Sequence, residues 1–269
     1  NTAVGYQAVL IMTDNASNTI MGYQAFKAAD AGENDNVVIG HLAGSANNNA
    51  STDGNVLIGK NAGVGGTSLM NSCIYIGKNA GENTHNNNQY DNVFIGRGAA
   101  GMAFAGQSDN NVGIGSLAVG GAGGGLNGAN HNAALGFSAL KVLTTGDKNV
   151  AVGSGALATE TVGNANVAVG YLALNEYVKG AGGDANNIAI GAWALSRLTG
   201  GDTSVNNVAI GTAAMYCTDG DDNDANNNVA VGHHALTAIS DGANNVAVGS
   251  SAGAAITTTS GTVLIGKSA

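Results

Sequence analysis

Asn149-Val150-Ala151-Val152-Gly153 is followed seventeen residues later by Asn166-Val167-Ala168-Val169-Gly170, the same five residues in the same order. Variants of this pentapeptide recur along the whole chain, and the glycine that ends each copy stands 17 to 21 residues after the one before it. An alanine stands three residues after every one of these glycines. Self-similarity at a fixed short period indicates a repeat protein built from one structural unit. We call these residues the turn glycines, and they include Gly40, Gly59, Gly96, Gly153, Gly170, Gly191, Gly232 and Gly249.

Each copy predicts a short strand that ends in a bend. Val150-Ala151-Val152 is a β-branched run of the kind that forms strands of three or four residues. A position that always takes glycine indicates positive φ or a close approach of two backbones. The segment after it varies in length and is rich in turn-forming residues. The sequence therefore predicts an all-β fold, a repetitive parallel β-solenoid of about fifteen turns that runs as one continuous domain over residues 1–269.

The alternation within each strand predicts two apolar faces. Neighbouring side chains of a strand point to opposite sides. We expect the two large outer residues to point into the core and the middle residue to point outward. Because the outward face would then also be apolar, we expect a second copy of the chain to cover it, and alanine would permit a close approach. The predicted inter-chain residues are Ala151, Ala168, Ala189, Ala209, Ala230 and Ala247.

An asparagine stands four residues before most turn glycines, and Cys73 and Thr262 replace it in two copies. Two explanations remain open from the sequence. Stacked asparagine amides form hydrogen-bonded ladders in stacked β arrays. Alternatively, asparagine simply tolerates the left-handed conformation at a corner before a strand. The predicted ladder residues are Asn36, Asn55, Asn92, Asn149, Asn166, Asn187, Asn228 and Asn245.

Composition and charge exclude several classes of protein. The chain has 44 glycines but no proline, so it is not collagen. A net charge of −9 repels phosphates, so we expect no nucleic-acid partner. No apolar stretch reaches 18 residues, so we expect no insertion into a membrane. Cys73 and Cys217 lie about eight repeats apart, and we predict no disulfide between them.

The sequence predicts no catalytic, cofactor or metal site. The pair His233-His234 is a poor metal site, since neighbours in a strand point apart. The acidic loop at residues 219–224 lacks the complete pattern of a calcium loop. The position after the turn glycine forms a predicted surface stripe, which could contact glycans or acidic loops or could simply be solvated. Its members are Tyr6, Tyr23, His41, Lys60, Lys78, Arg97, Phe137, Tyr171 and Lys267.

The pentapeptides at residues 149–153 and 187–191 resemble the head repeats of YadA-like trimeric autotransporter adhesins. The opening residues 1–8 look like similar repeats in bacteriophage tail-fibre proteins. The resemblance covers the whole chain and implies a left-handed parallel β-roll, with three chains side by side and the second apolar face buried between them. The repeats here are longer than those of most YadA-like heads and often carry alanine where those heads carry serine. No stalk, neck or anchor pattern is present.

These features predict a structural or adhesive fibre segment that forms a rigid rod on a virion or outside a cell, most like a phage tail fibre. The alternatives are the head of a bacterial surface adhesin and a self-assembling extracellular filament. The predicted partners are further copies of the chain, as a homotrimer and possibly an end-to-end filament, and a glycan or protein of a host surface. A glycan depolymerase is disfavoured, because the acidic residues form no recurring pair of carboxylates.

Overall fold

The computed structural model describes residues 1–83, 87–102, 104–120, 125–176, 183–197, 204–217 and 225–269. The chain divides into two compact units, Asn1–Asn132 and Ala133–Ala269. His85 and the acidic loop at residues 219–224 lie outside the described residues. The described residues contain no helix, and so none long and apolar enough to cross a membrane.

The first unit is a stack of short parallel strands. The strands of the main sheet pair in chain order, each with the corresponding strand of the next repeat. The two shortest strands, which have two residues each, pair with each other in parallel outside the main sheet. The strands are β1 (Thr2–Val4), β2 (Thr19–Met21), β3 (Val37–Ile39), β4 (Val56–Ile58), β5 (Met70–Asn71), β6 (Ile74–Ile76), β7 (Gln89–Tyr90), β8 (Val93–Ile95) and β9 (Val112–Ile114).

The second unit repeats this plan. Its main sheet also pairs neighbouring repeats in parallel, and its two shortest strands pair with each other. The strands are β10 (Ala133–Leu135), β11 (Val150–Val152), β12 (Gly163–Asn164), β13 (Val167–Val169), β14 (Gly183–Asp184), β15 (Ile188–Ile190), β16 (Val208–Ile210), β17 (Val229–Val231), β18 (Val246–Val248) and β19 (Val263–Ile265).

The pairing register brings equivalent positions of successive repeats side by side. Ala151 pairs with Ala168, and Val152 pairs with Val169, although the loop between the repeats is irregular. Because the register is kept wherever strands pair, each position of the repeat becomes a column of neighbouring side chains. The prediction of an all-β parallel solenoid is therefore confirmed.

The predicted orientation of the strands is wrong, because the alanines point into the coil and not towards another chain. All six predicted inter-chain residues are completely buried within the single chain: Ala151, Ala168, Ala189, Ala209, Ala230 and Ala247. The large outer residues instead face outward, as in β11, where Val150 and Val152 are half-buried. The interior of each turn is narrow and is shared with the residue four after the turn glycine. In the repeat of β11 the large residue there is Leu157, and the strand residue that shares the interior with it is the small Ala151.

The bend after each strand alternates between right-handed and left-handed backbone. Gln24 and Phe26 have φ values of 50° and 51°. The Gln24 N–H donates to Tyr6 O of the preceding repeat at 2.9 Å, and the Phe26 N–H donates to Ala43 O of the following repeat at 2.8 Å. A left-handed L-residue costs about 1–2 kcal/mol. These bonds to both neighbours offset that strain, because they leave neither amide unsatisfied.

Candidate functional site

The turn glycines lie where two turns come into close contact. Gly40 has a φ of 138°, and a Cβ added to it would lie 2.5 Å from the carbonyl oxygen of Gly59. No L side chain fits this space without moving the neighbouring turn. The same conformation, with φ between 133° and 142°, occurs at the other predicted glycines, Gly59, Gly96, Gly153, Gly170, Gly191, Gly232 and Gly249.

The asparagines before the strands form a buried hydrogen-bonded column. The Asn207 backbone N–H donates to Asn187 Oδ1 at 2.9 Å, and Asn207 Nδ2 donates to the same oxygen at 3.3 Å. Asn187 Nδ2 donates to Ser204 O at 3.0 Å, which ties the loop that follows Asn187 to the column. The predicted members are all completely buried: Asn36, Asn55, Asn92, Asn149, Asn166, Asn187, Asn228 and Asn245.

The left-handed corner lies one residue before this column. Asn186 and Asn206 have φ values of 52° and 59°, whereas Asn187 and Asn207 are not in the left-handed region. The second explanation for the asparagines, tolerance of a left-handed corner, therefore does not apply to the ladder residues. The hydrogen bonds that their side chains make between turns explain why asparagine stands at this position.

Cys73 interrupts the column, and a neighbouring glutamine compensates. The Cys73 N–H still donates to Asn55 Oδ1 at 2.9 Å, but a thiol is a poor acceptor for the next turn. Gln89 Oε1 accepts a bond from Asn92 Nδ2 at 3.1 Å in its place. Thr262 also keeps the first of these bonds, since its N–H donates to Asn245 Oδ1 at 2.9 Å.

A second ladder, which the sequence analysis missed, lies two residues before the first. The Asn34 N–H donates to Asp53 Oδ1 at 2.6 Å, and the Asp53 N–H donates to Asn71 Oδ1 at 2.8 Å. In the second unit the Asp147 N–H donates to Asn164 Oδ1 at 2.8 Å. Asparagine and aspartate both serve here, because only a side-chain oxygen acceptor is required.

The outward side of the main sheet in each unit is an uncharged and mostly aliphatic face. We call the outer strand residues of the second unit the Val/Ile face of that unit. Ile190 and Ile210 are 39% and 38% exposed, and Leu135 is 51% exposed. A contiguous apolar surface of this kind usually marks a contact with another molecule.

The surface stripe after the turn glycines is divided by chemistry in the first unit. The Tyr6 and Tyr23 rings stack with centroids 5.4 Å apart, and the Tyr23 and His41 rings stack at 5.2 Å. Lys60 and Lys78 occupy the same position in the following repeats and are exposed. The stripe is therefore a solvent-facing column of rings followed by cations.

The second unit carries an open cleft that the sequence analysis did not identify. Its volume is about 430 Å³, and Trp193, Thr212, Ala213, Tyr216, His233 and His234 line it. Trp193 is 41% exposed, and its ring meets the Tyr171 ring edge-on at 5.5 Å between centroids. The cleft could have been found from repeat positions, since all of its lining residues except Tyr216 occupy the two positions after the turn glycine in successive repeats.

Two carboxylates and both thiols are buried. Glu33 is completely buried, and desolvation raises the pKa of its carboxyl group, although Asn15 Nδ2 donates to Glu33 Oε2 at 2.9 Å. Glu160 Oε1 accepts bonds from two backbone N–H groups of its own loop. Burial raises the pKa of the Cys73 thiol to about 11 and that of Cys217 to about 12, and both are free. Both carboxylates are thus buried within the single chain.

Within the described residues, no three side chains of His, Cys, Asp or Glu come together in a way that could hold a metal ion. The His233 and His234 rings lie edge to face with centroids 4.1 Å apart. His234 Nδ1 lies 3.1 Å from Thr237 Oγ1, so a local hydroxyl fixes this ring. The histidine pair thus belongs to the wall of the cleft.

No protein-family model, curated protein or solved structure gives a significant match to this chain. The likeness to YadA-like heads and to tail-fibre repeats therefore stays a prediction from the pentapeptides themselves. The fold is established by the structure, and the function has to be inferred from the surfaces that the fold exposes.

Proposed function

We propose that the chain is a structural segment of an extracellular or virion-attached fibre, most like a phage tail fibre, in which three copies lie side by side. The observation that carries this proposal is the uncharged Val/Ile face. A solenoid that satisfies its polar groups through two ladders has no internal need for such a face, and exposure of it in water is unfavourable.

The contact that we propose differs from the one that the sequence suggested. The alanines lie inside each coil, so the surface available to a second copy is made of the outer residues of the strands. Val150 and Val152 are half-buried in the single chain and would become fully buried between chains. Like residues then meet in identical copies, and a symmetric assembly buries every copy of the face.

Two related functions share this assembly. The chain could instead belong to the head of a bacterial surface adhesin or to a self-assembling extracellular filament. The resemblance to YadA-like repeats supports the first, and the stacking of identical turns supports the second, because exposed strand edges can pair with another molecule. We propose no enzymatic activity for any of these assemblies.

Electron microscopy of the native source, with an antibody against this chain, tests the fibre proposal. We expect label along fibres that are attached to phage tails. Label on cell envelopes would favour the adhesin, and label along long free filaments would favour the self-assembling filament. Label confined to soluble, globular particles would contradict all three. An assay for sugar release from host polysaccharide would reveal a depolymerase.

A further inference from the structure

The cleft of the second unit forms where a small side chain lies between two large ones in one column of the repeat. The second position after the turn glycine holds Trp193, Ala213 and His234 in three successive repeats. Ala213 is 6% exposed and forms the floor, while the two rings stand on either side of it. Thr212 and His233, one residue earlier in their repeats, complete the same surface.

The turn itself does not require these side chains. Trp193 and Ala213 have nearly the same backbone conformation, with φ values of 55° and 53°. Leu172 occupies the equivalent position one repeat earlier with a φ of 52°. Because leucine, tryptophan and alanine all fit this bend, the large exposed ring of Trp193 is not explained by the fold. A partly exposed tryptophan beside a small residue is typical of a ligand site.

The lining indicates an uncharged ligand with hydroxyl groups. None of the six lining residues is a carboxylate, lysine or arginine. The cation Arg197 lies over the Tyr216 ring at 5.9 Å and has its Nε 3.5 Å from Glu176 Oε2. Among the described residues, no hydrogen bond occupies the Trp193 indole N–H, the Thr212 hydroxyl or the His233 ring. These groups can therefore bond to a ligand.

The spacing of the turns leaves room for a six-membered sugar ring. Neighbouring strands lie about 4.8 Å apart, so the two turns between Trp193 and His234 span about 10 Å. A ring in van der Waals contact with a flat side chain on each of its two faces requires about 7–8 Å. His234 is held in place by Thr237, whose hydroxyl donates to Ala213 O at 3.0 Å. The His234 side of the cleft is thus fixed before a ligand binds.

We propose that this cleft binds one residue of a neutral glycan, with the C–H faces of the sugar against Trp193 and His234. Thr212 and His233 bond to its hydroxyl groups, and the open side of the cleft leaves the rest of the glycan chain in solvent. The site gives the proposed fibre a ligand, and in that sense it rests on the proposed function. Its six lining residues belong to one chain, so binding and assembly are tested separately.

Trp193 is the only tryptophan of the chain and reports binding directly. The full chain is titrated with neutral hexasaccharides, namely α-1,4-glucose, β-1,4-glucose, β-1,4-N-acetylglucosamine and α-1,6-mannose, and with hexagalacturonate as an acidic comparison. We expect a saturable shift of the emission to shorter wavelength with at least one neutral series, and a weaker response to the acidic one.

Ala213→Leu fills the floor of the cleft and should lower the affinity for the responding glycan by about tenfold or more. The bend accepts this change, because Leu172 already occupies the equivalent position. Ser251→Leu places leucine at the same position of the repeat after His234, outside the lining of the cleft, and should bind like the unmodified chain. Calorimetry with the responding glycan measures all three proteins.

Three results would overturn the inference. They are the absence of any fluorescence response at millimolar concentrations of the neutral series, full affinity in Ala213→Leu, and protection of Trp193 from acrylamide quenching in the unliganded assembly. The last result would mean that a second copy of the chain covers the cleft. Light scattering on the same samples reports assembly separately. A threefold mass without glycan binding would contradict only the glycan site. A monomer that binds glycan would contradict only the trimeric assembly.

Discussion

Leu57 and Gly63 are complementary in size, since a Cβ added to Gly63 would lie 2.5 Å from Leu57 Cδ2. The same two positions hold Ala151 and Leu157 in a later repeat, where the large residue has moved from the strand to the bend. Both pairs are completely buried or line the buried interior. In these two repeats a large residue at one position is therefore matched by a small residue at the other.

This complementarity predicts a strong coupling between the two positions. Leu57→Ala leaves a cavity and should lower the free energy of unfolding by about 2–5 kcal/mol. Gly63→Leu alone overfills the turn and should cost about 1–3 kcal/mol. The double variant recreates the arrangement of Ala151 and Leu157, so its loss should be smaller than that of Leu57→Ala. Denaturant unfolding of the four proteins measures the cycle, and additive losses would contradict a shared interior.

The buried asparagine column should be more important for stability than the ladder beside it. Asn187→Ala removes the acceptor of the Asn207 N–H and the donor to Ser204 O. Each buried group left unsatisfied costs about 1–3 kcal/mol. Asn164→Ala removes the acceptor of the Asp147 N–H at a position that is only partly buried, so water can replace it. Thermal unfolding should show a clearly larger loss for Asn187→Ala, and equal losses would contradict this ranking.

Both thiols should be unreactive in the folded chain. Burial raises the pKa of Cys73 to about 11 and that of Cys217 to about 12, so neither forms a thiolate at pH 8. We expect a thiol reagent such as dithionitrobenzoate to label fewer than one cysteine per folded chain and two after denaturation. A Ser250→Cys variant, at an exposed position, is the control and should react at once. Rapid labelling of the unmodified folded chain would show that the interior opens readily.

Glu33 should make stability depend on pH. Because its folded-state pKa is raised above the ordinary value of 4.5, its contribution to stability is complete below that value and is lost as pH rises through the raised pKa. Glu33→Gln keeps the side chain neutral at every pH. We expect this variant to melt at a higher temperature than the unmodified chain at pH 7 and at nearly the same temperature near pH 4.

Asp14→Asn is the matched control for Glu33, because Asp14 is exposed. It should leave the melting temperature unchanged at both pH values. If Glu33→Gln lowered the melting temperature at pH 7, the carboxylate would be stabilised in its charged form. The amide of Asn15, which donates to it, would then outweigh the desolvation and the nearby charge of Asp30.

The strands, the turn glycines and the asparagine column were within reach of the sequence, because each recurs at a fixed place in the repeat. The sequence did not show which side of the strand faces inward, because Val150-Ala151-Val152 has apolar residues on both sides. The decisive quantity is the width of the coil, and this depends on Leu157 in the same turn. The sequence of the strand alone does not show that its middle residue shares the interior volume with a second position of the repeat.

The second ladder and the cleft escaped for a different reason. The ladder position holds Asn34 and Asp53 in some repeats but Tyr90 and Val205 in others, so no single residue type reveals it. The cleft requires Trp193 and His234 to be compared across repeats with loops of different length. Once the turn glycines fix the alignment, the repeat positions become spatial columns and such comparisons become possible.

The most direct test of assembly through the Val/Ile face is the native mass by light scattering. We expect three times the chain mass of 26.2 kDa. A variant with both Ile190→Lys and Ile210→Lys should give a folded chain of single mass, because charges on the Val/Ile face cannot be buried between copies. Ser250→Lys, outside the Val/Ile face, should keep the threefold mass. A stable, soluble monomer of the unmodified chain, or a threefold mass for the double variant, would contradict assembly through this face.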